Sequence, residues 1–277
     1  MYDALVIGGG PAGLQAALTL GRMHRPTLLL DSGTYRNAPV DAMHNIVTND
    51  GRDPAEFRAI VRGELAAYDA VEVRDRAATS VSRGDDGTIS TTLGDGTVVE
   101  SRTVVLATGL RDVMPDVPGF AEQWGRTVHV CPFCHGHELS GKRVAIQDSP
   151  AAGHQVAMLS PIAGSVEVVP AVTGVELTSE GLHVSSDSGK VVVDGLFAHP
   201  AYEQAAPFAA QLGLEMRESG CVAVNLFGQT SVPGVYAAGD LAHVADLPMP
   251  MASVLGAAAA GQMAGASALR EMVMPAT

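Results

Sequence analysis

Gly8-Gly9-Gly10-Pro11-Ala12-Gly13 constrains this chain more than any other stretch. It fits G-x-G-x-x-G with glycines at 8, 10 and 13, and each has a physical task. They allow a tight turn, close approach of backbone to a pyrophosphate, and close packing of helix on strand. Residues 2–7 before it read as a short β-rich strand, and residues 11–20 after it have helical composition. Residues 27–30 form a second apolar strand that ends at Asp31. The helix beginning near Pro11 and Ala12 directs free N–H groups and its positive dipole end at the phosphates. Asp31 stands where an acid accepts adenosine ribose hydroxyls. The alternative is an ordinary glycine turn, and the motif alone does not choose between NAD and FAD.

The remaining chain organises around this unit. A polar loop covers 32–53, and an apparent helix covers 54–68. Residues 71–99 alternate and carry Gly-Asp and Asp-Gly turns, which predicts an antiparallel hairpin region. Residues 103–107 make another buried strand, closed by Thr108-Gly109. Pro115, Pro118 and Gly119 mark a linker, and from Cys221 onward the chain rejoins the first domain. The expected fold is α/β: a discontinuous Rossmann-like domain over 1–116 and 220–277, with a smaller α/β domain over 117–219 inserted in it.

Composition narrows the partners. Seventeen basic against thirty acidic residues give a net charge of −13, which repels phosphate backbones and anionic lipid. A small molecule, a neutral surface or a basic protein is the expected partner, with no nucleic acid and no membrane. No basic leader precedes the apolar start, as a signal peptide requires. Residues 251–269 lack any charge over roughly the length of a membrane span. Ala, Gly and Ser dominate them, so a buried core helix is expected and the address is read as cytoplasmic.

Three cysteines do not make a disulfide scaffold in 277 residues. Cys131-Pro132-Phe133-Cys134 is different. Two cysteines three apart at a helix start can form and break a small disulfide. The helix N-terminus lowers a thiolate pKa, and Pro132 suits the first turn. A structural zinc half-site is the alternative, with His135 and His137 nearby, but a second ligand pair at zinc spacing is absent and no metal is expected. Cys221 reads as a small core or surface residue.

Residues 230–240, Thr-Ser-Val-Pro-Gly-Val-Tyr-Ala-Ala-Gly-Asp, resemble the second FAD fingerprint of thioredoxin-reductase-like flavoproteins. That resemblance spans nearly the whole chain and implies FAD as the cofactor. It implies that Gly239-Asp240 meets the ribityl and pyrophosphate region. It also implies that a helix starting near 251–253, at Ala252, points its N-terminus at the flavin ring. Thr108, Gly109 and Asn45 are further flavin contacts on the same ground. The string Cys-Pro-Phe-Cys-His-Gly-x-Glu at 131–138 resembles a subgroup, the dithiol oxidases that close disulfides in natural products such as gliotoxin and holomycin. The loop 31–37, with His44-Asn45, resembles it too. That resemblance implies a homodimer, Cys134 facing the flavin as charge-transfer thiolate, Cys131 facing substrate, and His135 as base. A histidine titrates near neutrality, which suits that role. His137 is expected to be structural.

Thioredoxin reductases carry a second glycine-rich loop for NADPH after the strand that follows the cysteines. Here the strand at 143–146 runs into Gln147-Asp148-Ser149-Pro150-Ala151-Ala152, without that motif. After the next strand, at 166–169, residues 170–176 hold no Arg or Lys to clamp a 2′-phosphate. NADPH is therefore not the expected donor. The implied function is oxidation of a small-molecule dithiol, with oxygen as acceptor. The rival is a thioredoxin reductase-like enzyme fed by ferredoxin, which acidity of this chain disfavours. A non-catalytic redox sensor is the reading from another class.

Overall fold

A computed structural model of the protein describes residues 1–274, and its contacts divide into two compact units. The first comprises residues 1–36, 55–111 and 203 onward; the second comprises 37–54 and 112–202. The inserted unit thus ends at Tyr202, not at 219, and begins at Asp112, not at 117. Phe208, Ala209 and Leu214 explain the later boundary, because they pack into the first unit's core beside Cys221 and Val222. Residues 37–54, read as a plain loop, group with the second unit. Internally, Met43 and Arg52 form a bridge there.

In the first unit, Tyr2–Ile7 lies between Thr27–Leu30 and Val98–Leu106 in a seven-stranded sheet, parallel to both. Alternate residues fill two cores: Leu5, Ile7, Leu28 and Leu30 on one face, Ala4, Val6 and Leu29 on the other. A strand covered on both faces reads as an unbroken apolar run, which is why the sequence here lacks alternation. Val98–Leu106 changes partner along its length. Its first residues run antiparallel to Ile89–Leu93, and its last three run parallel to Val235–Ala237.

Val71–Arg74 departs from the antiparallel region expected over 71–99, because it pairs in parallel with Thr27–Leu30. The helix Pro54–Leu65 supplies the crossover that parallel pairing needs. The rest of the region is antiparallel as expected: Ala78–Arg83 pairs with Ile89–Leu93, and Ile89–Leu93 pairs in turn with the first residues of Val98–Leu106.

The uncharged stretch near the C-terminus is the helix Val254–Val273, packed on Pro11–Gly21. A Cβ at Gly261 would stand 2.0 Å from the Ala12 carbonyl oxygen, so only glycine lets the two backbones meet. Close helix packing explains the small-residue composition. Among the described residues, no helix is long and apolar enough to cross a membrane.

The second unit has a parallel sheet in the order Ser165–Val169, Arg143–Gln147, Gly195–Phe197, Val128–His129. A three-stranded antiparallel sheet, Val172–Thr178, Gly181–Ser186 and Gly189–Val193, accompanies it. The edge strand Val128–His129 delivers the chain directly to Cys131.

Candidate active site

The glycine loop of the first unit has the geometry its sequence requires. Gly8 has φ of 124°, and a Cβ there would lie 2.2 Å from the Ala107 oxygen. A Cβ on Gly13 would lie 1.8 Å from the Gly8 oxygen, so the first turn of the helix sits tightly over the loop. Gly10 differs, because nothing stands within 4 Å of its added Cβ. It is the helix N-cap, with no side-chain cap, with Pro11 in the first turn and no acid there. The free N–H groups of that turn and the open face at Gly10 together fit a pyrophosphate.

Gly239, at φ 83°, brings the second fingerprint onto the same helix: its added Cβ would be 3.0 Å from the Ala12 Cβ. Asp240 follows, and Arg36 Nη1 donates to its Oδ2 at 3.0 Å. Two motifs 230 residues apart in sequence thus share one cradle. The C-terminal helix begins at Val254, and the Ser253 side chain caps it by accepting from the Gly256 N–H at 2.9 Å. Ala252 lies just before that cap. Thr108 and Gly109 follow the central strand, Gly109 at φ 70°. Asn45, at φ 60°, lies in the 37–54 segment of the other unit, where its N–H donates to Asp50.

Asp31 is less open than the ribose role suggests. Its Oδ2 accepts from Tyr35 at 2.6 Å and from Arg62 at 2.9 Å, while Oδ1 accepts from the Gly33 N–H at 2.9 Å. Burial and this bond push the Tyr35 hydroxyl up to about 12, so it stays a donor. Asp31 organises its own loop first, and any ribose contact must use its remaining acceptor capacity. Sequence reasoning assigned no role to Arg36, Tyr35 or Arg62. The only trace was the likeness of the loop 31–37 to the dithiol oxidases.

The second unit carries the thiols. Cys131 is the N-cap of the one-turn helix Pro132–His135. The Cys134 thiol and the first-turn N–H groups of that helix lie beside its sulfur, and the Cys134 N–H donates to the Cys131 carbonyl oxygen at 3.1 Å. The neighbouring Cys134 thiol and the helix-start N–H groups push the Cys131 thiol down to about 6 against the opposing cost of burial. Cys134 is pushed far up by its bond to Cys131, by burial and by Glu138. Among the chain's own groups, then, charge rests on Cys131. A charge-transfer role for Cys134 draws on the resemblance and on the cofactor, not on these contacts.

The reduced protein is therefore expected to react with iodoacetamide first at Cys131, with a midpoint near pH 6. Cys134→Ala removes the donor thiol and moves that midpoint upward. Mass mapping of the alkylated peptide across pH checks both; preferential labelling of Cys134 contradicts the geometry.

His135 ends the same helix, with Nδ1 buried and without a hydrogen-bond partner among the described residues. Burial lowers its pKa, Glu138 opposes, and His44 lowers it further. His44 stands 3.6 Å from Glu138 and 3.7 Å from Asp50. The reading from sequence missed Glu138, His44 and a residue two positions before the first cysteine, His129. Glu138 lay in the Cys-His-Gly-x-Glu string and His44 in the His44-Asn45 likeness, neither with a role, and nothing marked His129. His137 is exposed and shows no role here. Cys221 is a core residue whose sulfur donates to the Asp240 carbonyl at 3.6 Å. No cluster of three or more potential metal ligands occurs among the described residues.

Residues 2–157 and 163–265 match the family model described as pyridine nucleotide-disulphide oxidoreductase. The chain is 34% identical over 310 residues to thioredoxin reductase sirT of Leptosphaeria maculans, covering 96% of this chain and 92% of that one. It is also 34% identical over 315 residues to thioredoxin reductase tcpT of Claviceps purpurea, covering 98% and 96%. Among solved structures, HlmI superposes with a TM-score of 0.86 at 30% identity, covering 98% of this chain and 92% of HlmI.

Proposed function

The chain belongs to the pyridine nucleotide-disulphide oxidoreductase family, as a thioredoxin-reductase-like flavoenzyme with FAD as cofactor, and on that premise we propose that it oxidises a small-molecule dithiol to a disulfide with oxygen as acceptor. One observation supports the reading: a half-buried histidine, His135, directly follows the Cys131–Cys134 pair on one helical turn, with Cys131 at the helix N-cap.

The residues divide the work as follows. A substrate thiolate attacks the Cys131 sulfur of the Cys131–Cys134 disulfide, forming a mixed disulfide and releasing Cys134 as the leaving thiolate. His135 takes the proton of the second substrate thiol, and that sulfur displaces Cys131, closing the product disulfide. Leaving thiols of low pKa depart faster. The place of Cys131 at the N-cap of the helix Pro132–His135, where its thiol is lowered, favours this second departure. The pair ends two electrons reduced, with one substrate proton on His135. FAD, when bound, supplies the two-electron acceptor that restores the disulfide and delivers the pair to oxygen as peroxide. Gly10, the free first turn of the helix Pro11–Gly21 and Asp240 with Arg36 would hold it. A homodimer and a cytoplasmic address belong to the same proposal through the resemblance.

The test uses the holoprotein with dithiothreitol or dihydrolipoamide as probe. In air, disulfide and hydrogen peroxide form in equal amounts, and Cys131→Ser and Cys134→Ser each stop turnover. Failure of every small dithiol to reduce the bound flavin, with reduced ferredoxin succeeding, points to the ferredoxin-fed rival.

A further inference from the structure

We infer that His129 is a positioning residue for His135, a neutral aromatic wall that holds the base's ring in place and shields one of its faces from water. The inference rests on the dithiol-oxidising reading only for what His135 does; the packing stands independently of it.

The two imidazoles stack with centroids 4.0 Å apart and planes inclined by 19°. His129 is only 6% exposed and is backed by Phe197, whose ring centroid lies 5.8 Å away at 49°. Phe197 is itself fully buried. The backbone behind the wall is held at the C-terminal end of its strand. The Ala198 N–H donates to the His129 oxygen at 2.8 Å, and Gln155 Nε2 donates to the Val130 oxygen at 3.0 Å. A buried ring on a fixed backbone, backed by Phe197, leaves the stacked His135 ring little freedom.

A buried imidazole with no hydrogen-bond partner at Nδ1 among the described residues is a costly way to fill a core, and a leucine would do it more cheaply. A flat ring explains the choice, since it matches the face of another imidazole. Burial and the neighbouring His135 depress the His129 pKa to about 3, so at working pH it carries no charge. The stacked pair therefore carries at most one positive charge at working pH, and that charge sits on His135. Other titratable groups around the pair are Glu138, which favours protonated His135, and His44, which opposes it and is tied to Asp50. The Cys131–Cys134 pair lies on the same helical turn, and His199 follows two residues after Phe197.

Removing the wall has a computable sign. Space left by His129→Ala admits water to His135, relieves its desolvation and lifts its pKa toward the ordinary 6.5. The base is then lost at a higher pH, and its ring is free to turn. His129→Phe keeps a flat ring and an apolar wall, and His129→Leu keeps the volume without the flat face. The experiment has two readouts on the holoprotein. Long-range nitrogen–proton NMR of the imidazoles gives the His135 pKa and tautomer. Anaerobic stopped-flow reduction by dithiothreitol gives the rate.

In His129→Ala the His135 pKa rises and the rate falls roughly ten- to a hundredfold, as misplacement of a catalytic group commonly costs. His129→Phe restores both, and His129→Leu restores the pKa better than the rate. Should His129→Ala fail to fold, the Phe and Leu variants still separate shape from volume. An unmoved His135 pKa in His129→Ala, or a His129→Phe as slow as His129→Leu, overturns the inference. Wild-type protein that no dithiol reduces instead removes the functional reading, and leaves the NMR arm to judge the stacking.

Discussion

Under anaerobic conditions, excess NADPH or NADH leaves the bound FAD oxidised, whereas a small dithiol bleaches it within the mixing time of a conventional experiment. The expectation follows from the carboxyl ends of the second unit's parallel strands, where open α/β sheets bind nucleotides. Arg143–Gln147 ends in Gln147 and Asp148, and the Asp148 N–H is already spent on the Val169 oxygen at 2.8 Å. The next helix, Ala152–Leu159, is preceded by Pro150, which has no N–H to offer, and has no side-chain cap. Ser165–Val169 runs through Pro170 into Val172–Thr178 without a cationic side chain between them. Arg143 sits at the opposite end of its strand and is bound to Asp194, at 2.8 Å.

A pyrophosphate and a 2′-phosphate would therefore meet an aspartate and no positive charge. Charge-assisted hydrogen bonds are worth about 1.5–3 kcal/mol each. Losing two or three of them costs a few powers of ten in affinity, taking a micromolar site toward millimolar. The measurement is absorbance near the main flavin band after anaerobic mixing. Rapid bleaching by NADPH at micromolar concentration would show that the second unit still binds the nucleotide, and would return the chain to the ordinary reductases.

Legibility in the sequence followed the length scale of each constraint. The glycine loop was readable because its three glycines fall at fixed spacing within six residues, although only Gly13 answers to a local backbone contact, the Gly8 oxygen, while Gly8 answers to Ala107 on a distant strand. The cysteine pair was readable for the same reason, since its chemistry is confined to one helical turn. Boundaries were less so. Residues 37–54 carry no periodic pattern, and the parallel pairing of Val71–Arg74 depends on a crossover that local alternation does not encode. The state of Asp31 shows the limit most plainly. Its position at the end of a strand marked it as a nucleotide acid. Its capture by Tyr35 and Arg62 joins residues four and thirty-one positions away through long side chains. His129 was invisible because a histidine on a two-residue strand looks like any other, and stacking has no sequence signature.

His135→Ala is expected to slow reduction by a small dithiol about a hundredfold at neutral pH, with a pH dependence that identifies the lost function. A positioned general base contributes typically 10²–10⁴-fold. His135 works as a base only when unprotonated. Burial lowers its pKa below 6.5, so the wild-type rate holds below the pH at which a free imidazole would already be half protonated. That limb rises with pH through the His135 pKa and then flattens, because the histidine can take the thiol proton while the thiol itself is still protonated. Without His135 the second substrate thiol must ionise by itself, and a free thiol does so near pH 8.5. The variant rate therefore climbs with pH through that range, and the gap to wild type closes as the substrate supplies its own thiolate. Stopped-flow reduction by dithiothreitol from pH 5.5 to 9.5, on wild type and variant at equal FAD content, reads both limbs. A deficit that is equal at every pH would assign His135 to architecture alone, and an unchanged profile would remove it from the reaction.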